Sequence, residues 1–292
     1  MTRFTVASAD RVAAVATCTF SQFRRNKLCA CFGRWREYAR ADDTTLPAMI
    51  EARQLTKVFR DRKRGEIRAV DGVSFRCQPG QVFGLLGVNG AGKTTCLRIL
   101  GTILQPSSGT ASVGGFDVVT QPERVRANIG LLSTATALYG RLTAQETVEY
   151  FGRLHGLTES LLRQRLESIF NTLDMNEFRH RRCDQLSTGM KQKVSIARTL
   201  VHDPPVMIFD EPTHGLDVLT ARTVVGFIRD CRERGKTVIF STHVMREAEK
   251  LCDVIAIIHN GRIMAEGTLA ALRERTGAQD LDDVFVKLVE GT

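Results

Sequence analysis

The sequence predicts an α/β protein in which a parallel sheet carries an antiparallel side sheet and a helical insertion. Three observations predict this class. Short alternating runs between residues 49 and 87 are typical of antiparallel strands, and apolar residues at helical spacing dominate residues 143–202. Two continuous apolar runs, "VMIF" at 206–209 and "TVIF" at 237–240, are typical of buried parallel strands. A hydrophobic content of 43% over 292 residues is ample for such a core.

Residues 1–48 differ in composition and in sequence pattern from the rest of the chain. They are arginine-rich and show neither strand alternation nor a capped helix, whereas regular alternation begins at Met49. Three interpretations remain open: an upstream start used in place of Met49, a disordered basic tail, or an organelle transit peptide. In each of them we expect residues 49–292 to form the functional domain, with a helical subdomain at about 140–202.

The first elements lead into a phosphate loop. Alternating runs broken by Gly72 and Pro79-Gly80 are followed by "QVFGLL" and then by "GVNGAGKTT", residues 87–95. This spacing fits G-x-x-x-x-G-K-[ST] between a strand and a helix, in which inward-facing N–H groups and the helix dipole hold phosphates. A glycine-rich turn with a surface lysine is the alternative. We predict that the loop holds ATP or GTP through Gly87, Asn89, Gly90, Gly92, Lys93, Thr94 and Thr95.

Two of these side chains have distinct predicted roles. Lys93 would reach the β- and γ-phosphates, and the Thr94 hydroxyl would ligate Mg²⁺. Downstream, "VMIFDEP" places Asp210 and Glu211 at the carboxyl end of a buried strand, where α/β sheets bind ligands. Asp210 would hold Mg²⁺ through water, and Glu211 would orient or deprotonate the attacking water.

The last elements follow in order. "TVIFSTH" puts His243 after a second buried strand, within predicted reach of a γ-phosphate. "VIAIIHNGRIMAEG" carries Asn260-Gly261 between apolar runs, which predicts a type I′ hairpin. Leu281, Val284 and Phe285 predict a closing amphipathic helix.

"LSTGMKQKVSIARTL" indicates a second anion site at a helix start. Ser187 and Gly189 would offer a hydroxyl and backbone N–H groups there. One nucleotide does not need two such sites in one monomer, so the motif predicts a dimer in which each chain caps the nucleotide of the other. An ordinary N-capped helix is the alternative.

The ordered set "GVNGAGKTT", "LSTGM", "VMIFDEP", "HGLD" and "STH" resembles the ATP-binding cassette (ABC) transporter ATPases. The resemblance covers about residues 49–292. It implies a P-loop NTPase core with an antiparallel β subdomain and a helical signature subdomain. It also implies ATP, a second ATPase subunit in a head-to-tail dimer, and hydrolysis coupled to an integral membrane permease that docks around residues 134–150. By position, Phe59 would stack on adenine and Asp217 would link the two sites.

Two departures from the family pattern stand out. Thr188 and Met190 replace Gly and Gln of the usual LSGGQ, while Ser187 and Gly189 are kept. The position of the family's Q-loop glutamine corresponds to Thr134 in this sequence. A threonine side chain is too short to reach the metal or the attacking water as the glutamine would. This altered loop is similar to the sodium-extruding branch of cassette exporters, and drug or antibiotic exporters are the alternative.

Composition limits location and partners. No stretch approaches 18 consecutive apolar residues, so no segment is expected to cross a bilayer. The scattered cysteines favour a reduced cytosolic compartment, and the resemblance implies a peripheral position on the cytoplasmic face of the inner membrane. A net charge of +9 is mild, and we expect no nucleic-acid partner. Soluble cassette ATPases that act on ribosomes or DNA usually carry two cassettes or an inserted module, and here the phosphate loop occurs once.

Overall fold

The computed structural model describes residues 49–61, 65–133 and 137–290, so the predictions for residues 1–48 and for Thr134 lie outside the described residues. The described strands form two sheets. The antiparallel sheet has the order β2-β1-β4-β5. Its strands are β1 (Ile50–Asp61), β2 (Gly65–Cys77), β4 (Ser108–Val113) and β5 (Phe116–Asp117).

The second sheet has the order β10-β9-β3-β8-β7-β6 within the described residues. Its strands are β3 (Val82–Leu86), β6 (Ile129–Ser133), β7 (Val206–Asp210), β8 (Thr237–Thr242), β9 (Val254–His259) and β10 (Arg262–Gly267). All neighbours are parallel except β9 and β10, and every residue of β3, β7 and β8 is buried. The predicted α/β class with an antiparallel side sheet is therefore confirmed.

The described helices surround these sheets. They are α1 (Lys93–Leu100), α2 (Pro122–Asn128), α3 (Ala144–Leu154), α4 (Glu159–Thr172), α5 (Thr188–Leu200), α6 (Val218–Glu233), α7 (Met245–Leu251), α8 (Leu269–Thr276) and α9 (Leu281–Glu290). The longest of them, α6, has 16 residues, and no helix in the described ranges combines the length and apolarity that a bilayer span requires.

Helix α1 packs between the two sheets. Its buried side chains Leu97 and Leu100 share one apolar core with residues of both sheets. In the same core the rings of Phe75 on β2 and Phe83 on β3 stack with centroids 4.9 Å apart. This burial anchors the helix whose first residue is Lys93, and so holds the end of the phosphate loop in place.

Helices α3, α4 and α5 form a second layer against the parallel sheet and share one apolar core with it. Thr143 begins α3 with a capping box to Glu146. Leu154 continues the apolar spacing of Val148 and Phe151 along this helix, but its side chain is 67% exposed. The buried residues of the helix include Val148 and Gly152. A Cβ at Gly152 would lie 2.4 Å from Leu162 Cδ1, so the glycine allows α3 and α4 to approach closely.

The carboxyl-terminal elements cover the other side of the sheet. Asn260 and Gly261 have φ of 47° and 78°, the two positive values that a type I′ turn requires between β9 and β10. Leu281, Val284 and Phe285 are buried against α7, α8 and β10, as the amphipathic pattern predicted.

Candidate active site

The phosphate loop, residues 87–95, connects β3 to α1. A Cβ at Gly87 would lie 2.3 Å from the Ile258 carbonyl oxygen, and one at Gly92 would lie 2.2 Å from the Ala69 carbonyl oxygen. Gly92 also has φ of 107°, so neither position accepts a side chain without backbone movement. The N-cap Gly92 has no side chain to cap α1, which leaves the first N–H groups of that helix without a side-chain acceptor from it.

The tip of the loop, Asn89 and Gly90, is exposed, whereas Thr94 and Thr95 are half-buried. Lys93 is buried and folds back along the loop. Its Nζ donates to the carbonyl oxygens of Gly87 at 2.8 Å and Val88 at 3.0 Å. The same ammonium lies 3.0 Å from Glu211 Oε1.

Asp210 ends β7 beside the loop and receives two hydroxyl hydrogen bonds. Thr94 Oγ1 and Ser241 Oγ each donate to Asp210 Oδ1 at 2.9 Å. Ser241 lies opposite Asp210 in the parallel β7–β8 ladder, so the sheet register creates this contact. The buried Asp210 carboxylate and the Thr94 hydroxyl thus lie together at the carboxyl edge of the sheet, where their oxygen atoms could serve as metal ligands.

Glu211 follows with φ of 47°, an uncommon left-handed conformation for this residue type. Its N–H donates to Ser241 Oγ at 3.0 Å, and its Oε2 lies 2.8 Å from His243 Nδ1. Burial raises the pKa of Glu211, but hydrogen bonding and charge from Lys93, with a smaller contribution from His243, outweigh it and hold that pKa below its usual range. The carboxylate is therefore ionised at neutral pH.

Sequence reasoning missed three residues of this network. His214 Nδ1 lies 3.8 Å from Glu211 Oε2, and Ser241 bridges Asp210 and Glu211. Glu247 on α7 accepts from Thr213 Oγ1 and Thr242 Oγ1, each at 3.0 Å, and so joins the segments after β7 and β8. His214 and Ser241 fall inside "HGLD" and "STH", where the signal was available, whereas Glu247 carries no motif.

A second group of predicted residues lies at the starts of α5 and α6. The Ser187 hydroxyl accepts from Met190 N–H at 3.3 Å and caps α5. Asp217 accepts from Thr220 N–H at 3.0 Å and from Thr220 Oγ1 at 2.7 Å. A Cβ at Gly189 would lie 3.1 Å from the same Thr220 Oγ1, so the two helix starts are adjacent.

Phe59 lies on β1 in the antiparallel sheet. It is 38% exposed, and Lys57 Nζ stands 5.4 Å from the ring centroid. The structure therefore brings together Lys93, Thr94, Asp210, Glu211 and His243 in one network and places Ser187, Gly189 and Asp217 in a second group. Phe59 remains partly exposed on β1. Ser133, the last residue of β6, pairs with Asp210 of β7.

Comparison with known proteins places this geometry in a family. Residues 70–214 match the family model described as ABC transporter. The ABC transporter ATP-binding protein NatA of Bacillus subtilis is 42% identical over 245 residues, 83% of this chain and 99% of that protein. The daunorubicin resistance ATP-binding protein DrrA3 of Streptomyces coeruleorubidus is 38% identical over 225 residues, 77% of this chain and 71% of that protein.

Similar solved structures are also ATP-binding subunits or cassettes. An ATP-binding subunit of an ABC transporter superposes with a TM-score of 0.74 at 29% identity, covering 82% of this chain and 99% of that one. A post-hydrolysis dimer of the ATP-binding cassette MJ0796, bound to ADP and Pi, gives 0.69 at 26% identity over 76% of this chain and 99% of its own. With the phosphate loop and the strand-end carboxylates, these matches show that the chain belongs to the ABC transporter family, as an ATP-binding and ATP-hydrolysing subunit.

Proposed function

We propose that two copies of this chain hold ATP between them, the phosphate loop of one facing Ser187 and Gly189 of the other, and that hydrolysis drives a separate membrane permease. The main observation behind this proposal is one continuous network, in which Ser241 connects Asp210 to Glu211. Thr94 contacts Asp210 in this network, and Lys93 and His243 contact Glu211. Ser187, Gly189 and Asp217 group apart from it at the starts of α5 and α6. A dimer supplies both groups to one nucleotide.

The oxygen atoms of Thr94 and Asp210 beside the loop are suitable ligands for Mg²⁺. The Thr94 hydroxyl and the Asp210 carboxylate are hard ligands that already lie within hydrogen-bond distance of each other, and we propose that they hold the ion. When bound, Mg²⁺ would neutralise charge on the β- and γ-phosphates.

The Lys93–Glu211 contact suggests how ATP prepares the carboxylate. When the Lys93 ammonium turns to the phosphates, Glu211 loses the neighbour that most lowers its pKa. Burial then raises its proton affinity, so Glu211 becomes a better acceptor for a proton of the attacking water. His243, freed from Glu211 Oε2, would donate to the γ-phosphate, and Phe59 would cover one face of the adenine.

A mixing experiment tests the shared site. Lys93→Ala removes the phosphate contact of the loop, and Ser187→Arg blocks the opposing helix start, so each variant alone should lose ATP hydrolysis. A mixed dimer contains one site built from an unmodified loop and an unmodified helix start. Equal mixing should therefore restore hydrolysis, and each mixed dimer, with one intact site of two, should work at up to about half of the rate of a wild-type dimer. If the mixture recovers no ATP hydrolysis although thermal melting shows that both variants are folded, the shared site is contradicted.

For the cargo we propose sodium ion export, because the Thr134 loop and "LSTGM" are similar to the sodium-extruding branch. The similarity to DrrA3 favours drug export as the second candidate. Tyr139, Tyr150 and Leu154, which are 58%, 48% and 67% exposed, would meet the permease. Vesicles that contain the chain and its permease, supplied with ATP on the cassette side, should transport sodium; daunorubicin transport without sodium movement would favour the second candidate.

A further inference from the structure

A second histidine lies against Glu211. His214 is the first residue of "HGLD", and its Nδ1 is 3.8 Å from Glu211 Oε2. His243 Nδ1 is 2.8 Å from the same oxygen, and the two imidazole rings meet at 68° with centroids 5.5 Å apart. One nitrogen from each histidine and one oxygen from Glu211 all lie within 4.8 Å of one another.

The backbone holds these three side chains together. The carbonyl oxygen of Glu211 accepts from His214 N–H at 3.1 Å, which closes a turn directly after β7. His243 directly follows the neighbouring strand β8, two residues after Ser241, whose hydroxyl accepts from Glu211 N–H. A tight turn and the sheet register therefore bring the three backbone positions together.

From this convergence we propose that Glu211, His214 and His243 form a binding site for a borderline transition-metal ion such as Zn²⁺ or Co²⁺, and that occupancy of the site stops hydrolysis. The inhibitory part rests on the proposed function of Glu211. Imidazole nitrogen and carboxylate oxygen are common Zn²⁺ ligands, and three protein ligands leave a fourth position for water. Bound at ~2.0–2.2 Å, such ligand atoms lie about 3.3 Å apart, so the observed spacing needs shifts of about 1 Å.

The site differs chemically from the proposed Mg²⁺ position. Thr94 and Asp210 offer hard oxygen atoms, whereas two imidazoles favour Zn²⁺ over Mg²⁺. The side chains of His214 and His243 are 58% and 35% exposed, so an ion from solvent can reach them. The Lys93 ammonium beside Glu211 Oε1 repels a cation, and we therefore expect weaker binding than at a structural zinc site.

Metal binding would disable the carboxylate. A coordinate bond to Glu211 Oε2 replaces the hydrogen bond from His243 and occupies the oxygen that would orient water. His243 Nδ1 is occupied in the same step. Binding of the ion and productive hydrolysis are then mutually exclusive.

The test is Co²⁺ titration of the full-length, nucleotide-free chain, followed by its visible d–d absorption. The wild-type chain should bind Co²⁺ with a spectrum typical of nitrogen and oxygen ligands, and His214→Ala should weaken that binding at least tenfold. His214→Cys keeps a metal ligand and should retain it. The control is His180→Ala, because His180 is exposed in the segment before α5 and should not change the titration. Thermal melting of each variant checks folding.

Hydrolysis provides the second measurement. In the presence of Mg²⁺ and ATP, buffered free Zn²⁺ should inhibit the wild-type chain, and His214→Ala should need at least tenfold more Zn²⁺ for the same inhibition. Equal Co²⁺ affinity in the wild-type and His214→Ala chains would overturn the site. If Co²⁺ binding requires His214 while Glu211→Gln leaves hydrolysis unchanged, the metal site stands and the proposed role of Glu211 fails.

Discussion

Glu211 shows at the residue scale how backbone conformation and chemistry are linked in this site. Its left-handed φ of 47° costs roughly 1–3 kcal/mol for a residue with a Cβ, and the Ser241 hydroxyl helps to hold it there. In this conformation one carboxylate oxygen contacts Lys93 and the other contacts His243. Because Glu211 lies at a strand end beside the phosphate loop, we expect it to accept a proton from the attacking water.

Replacing Glu211 with Gln should preserve ATP binding and slow hydrolysis by about 10² or more, because the amide no longer accepts a proton. Phosphate release measured beside nucleotide binding separates the two effects. Glu274→Gln is the control, since Glu274 is exposed on α8. Unchanged turnover in Glu211→Gln would remove this residue from catalysis.

At the element scale, the contact between α3 and α4 depends on a missing side chain. Gly152 is buried in α3, and an added Cβ would meet Leu162 Cδ1 at 2.4 Å and Val201 Cγ2 at 3.3 Å. Gly226 in the middle of α6 is the opposite case, because a Cβ there meets nothing within 4 Å. The two helix glycines therefore provide a matched pair.

Gly152→Val should lower the free energy of unfolding by about 1–3 kcal/mol, because the added branches overpack a buried contact. Gly226→Val should stay within about 0.5 kcal/mol of the wild-type chain, since a side chain in open space adds little. Urea unfolding of both variants checks the contrast. Equal effects of the two substitutions would mean that α3 and α4 have room to separate.

At the scale of the whole molecule, a pair of stacked histidines links the helical layer to the parallel sheet. His155 directly follows α3 and His202 follows α5, with ring centroids 3.6 Å apart. His202 Nε2 donates to the Ile129 carbonyl oxygen at 2.9 Å, and its buried Nδ1 has no hydrogen-bond partner among the described residues. Burial, followed by the charges of His155, Lys236 and Arg165, lowers the pKa of His202 to about 4.

This pKa predicts a loss of stability in mild acid. Between pH 6.5 and about 4 the unfolded chain binds a proton at His202 that the folded chain does not, so the free energy of unfolding falls as pH falls. The loss from this group is about 2 kcal/mol at pH 5. Urea unfolding at pH 7 and pH 5 should show a smaller difference for His202→Phe than for the wild-type chain or His180→Gln. An identical difference in all three would contradict the assignment.

The domain boundary also concerns the whole molecule. We propose that residues 49–292 suffice for ATP hydrolysis, because both groups of site residues, and residues 70–214 that match the family model, lie after Met49. A chain that starts at Met49 should hydrolyse ATP at the full-length rate with an unchanged melting temperature. A loss of hydrolysis in the shortened chain, with folding intact, would show that residues 1–48 contribute to the site.

Local patterns predicted most of the fold because they act over short stretches of chain. Asn260-Gly261 specifies its turn through two positive φ values, and the apolar run before Asp210 specifies a buried strand. Leu154 illustrates where periodicity is insufficient: its spacing fits the apolar side of α3, but Gly152 occupies the contact because α4 approaches there. Close approach between two helices depends on both partners, and one helix alone does not encode it.

By itself the sequence determined the element types, the phosphate loop and the chemical character of Lys93, Asp210, Glu211 and His243, since each depends on neighbouring residues in the chain. Only the tertiary structure decided that Ser241 bridges two carboxyl-bearing residues, that Glu247 joins the segments after β7 and β8, and that His214 and His243 converge on one oxygen. The turn after β7 brings His214 to Glu211, and the strand order and register of the parallel sheet supply the other contacts by bringing together residues about 30 positions apart.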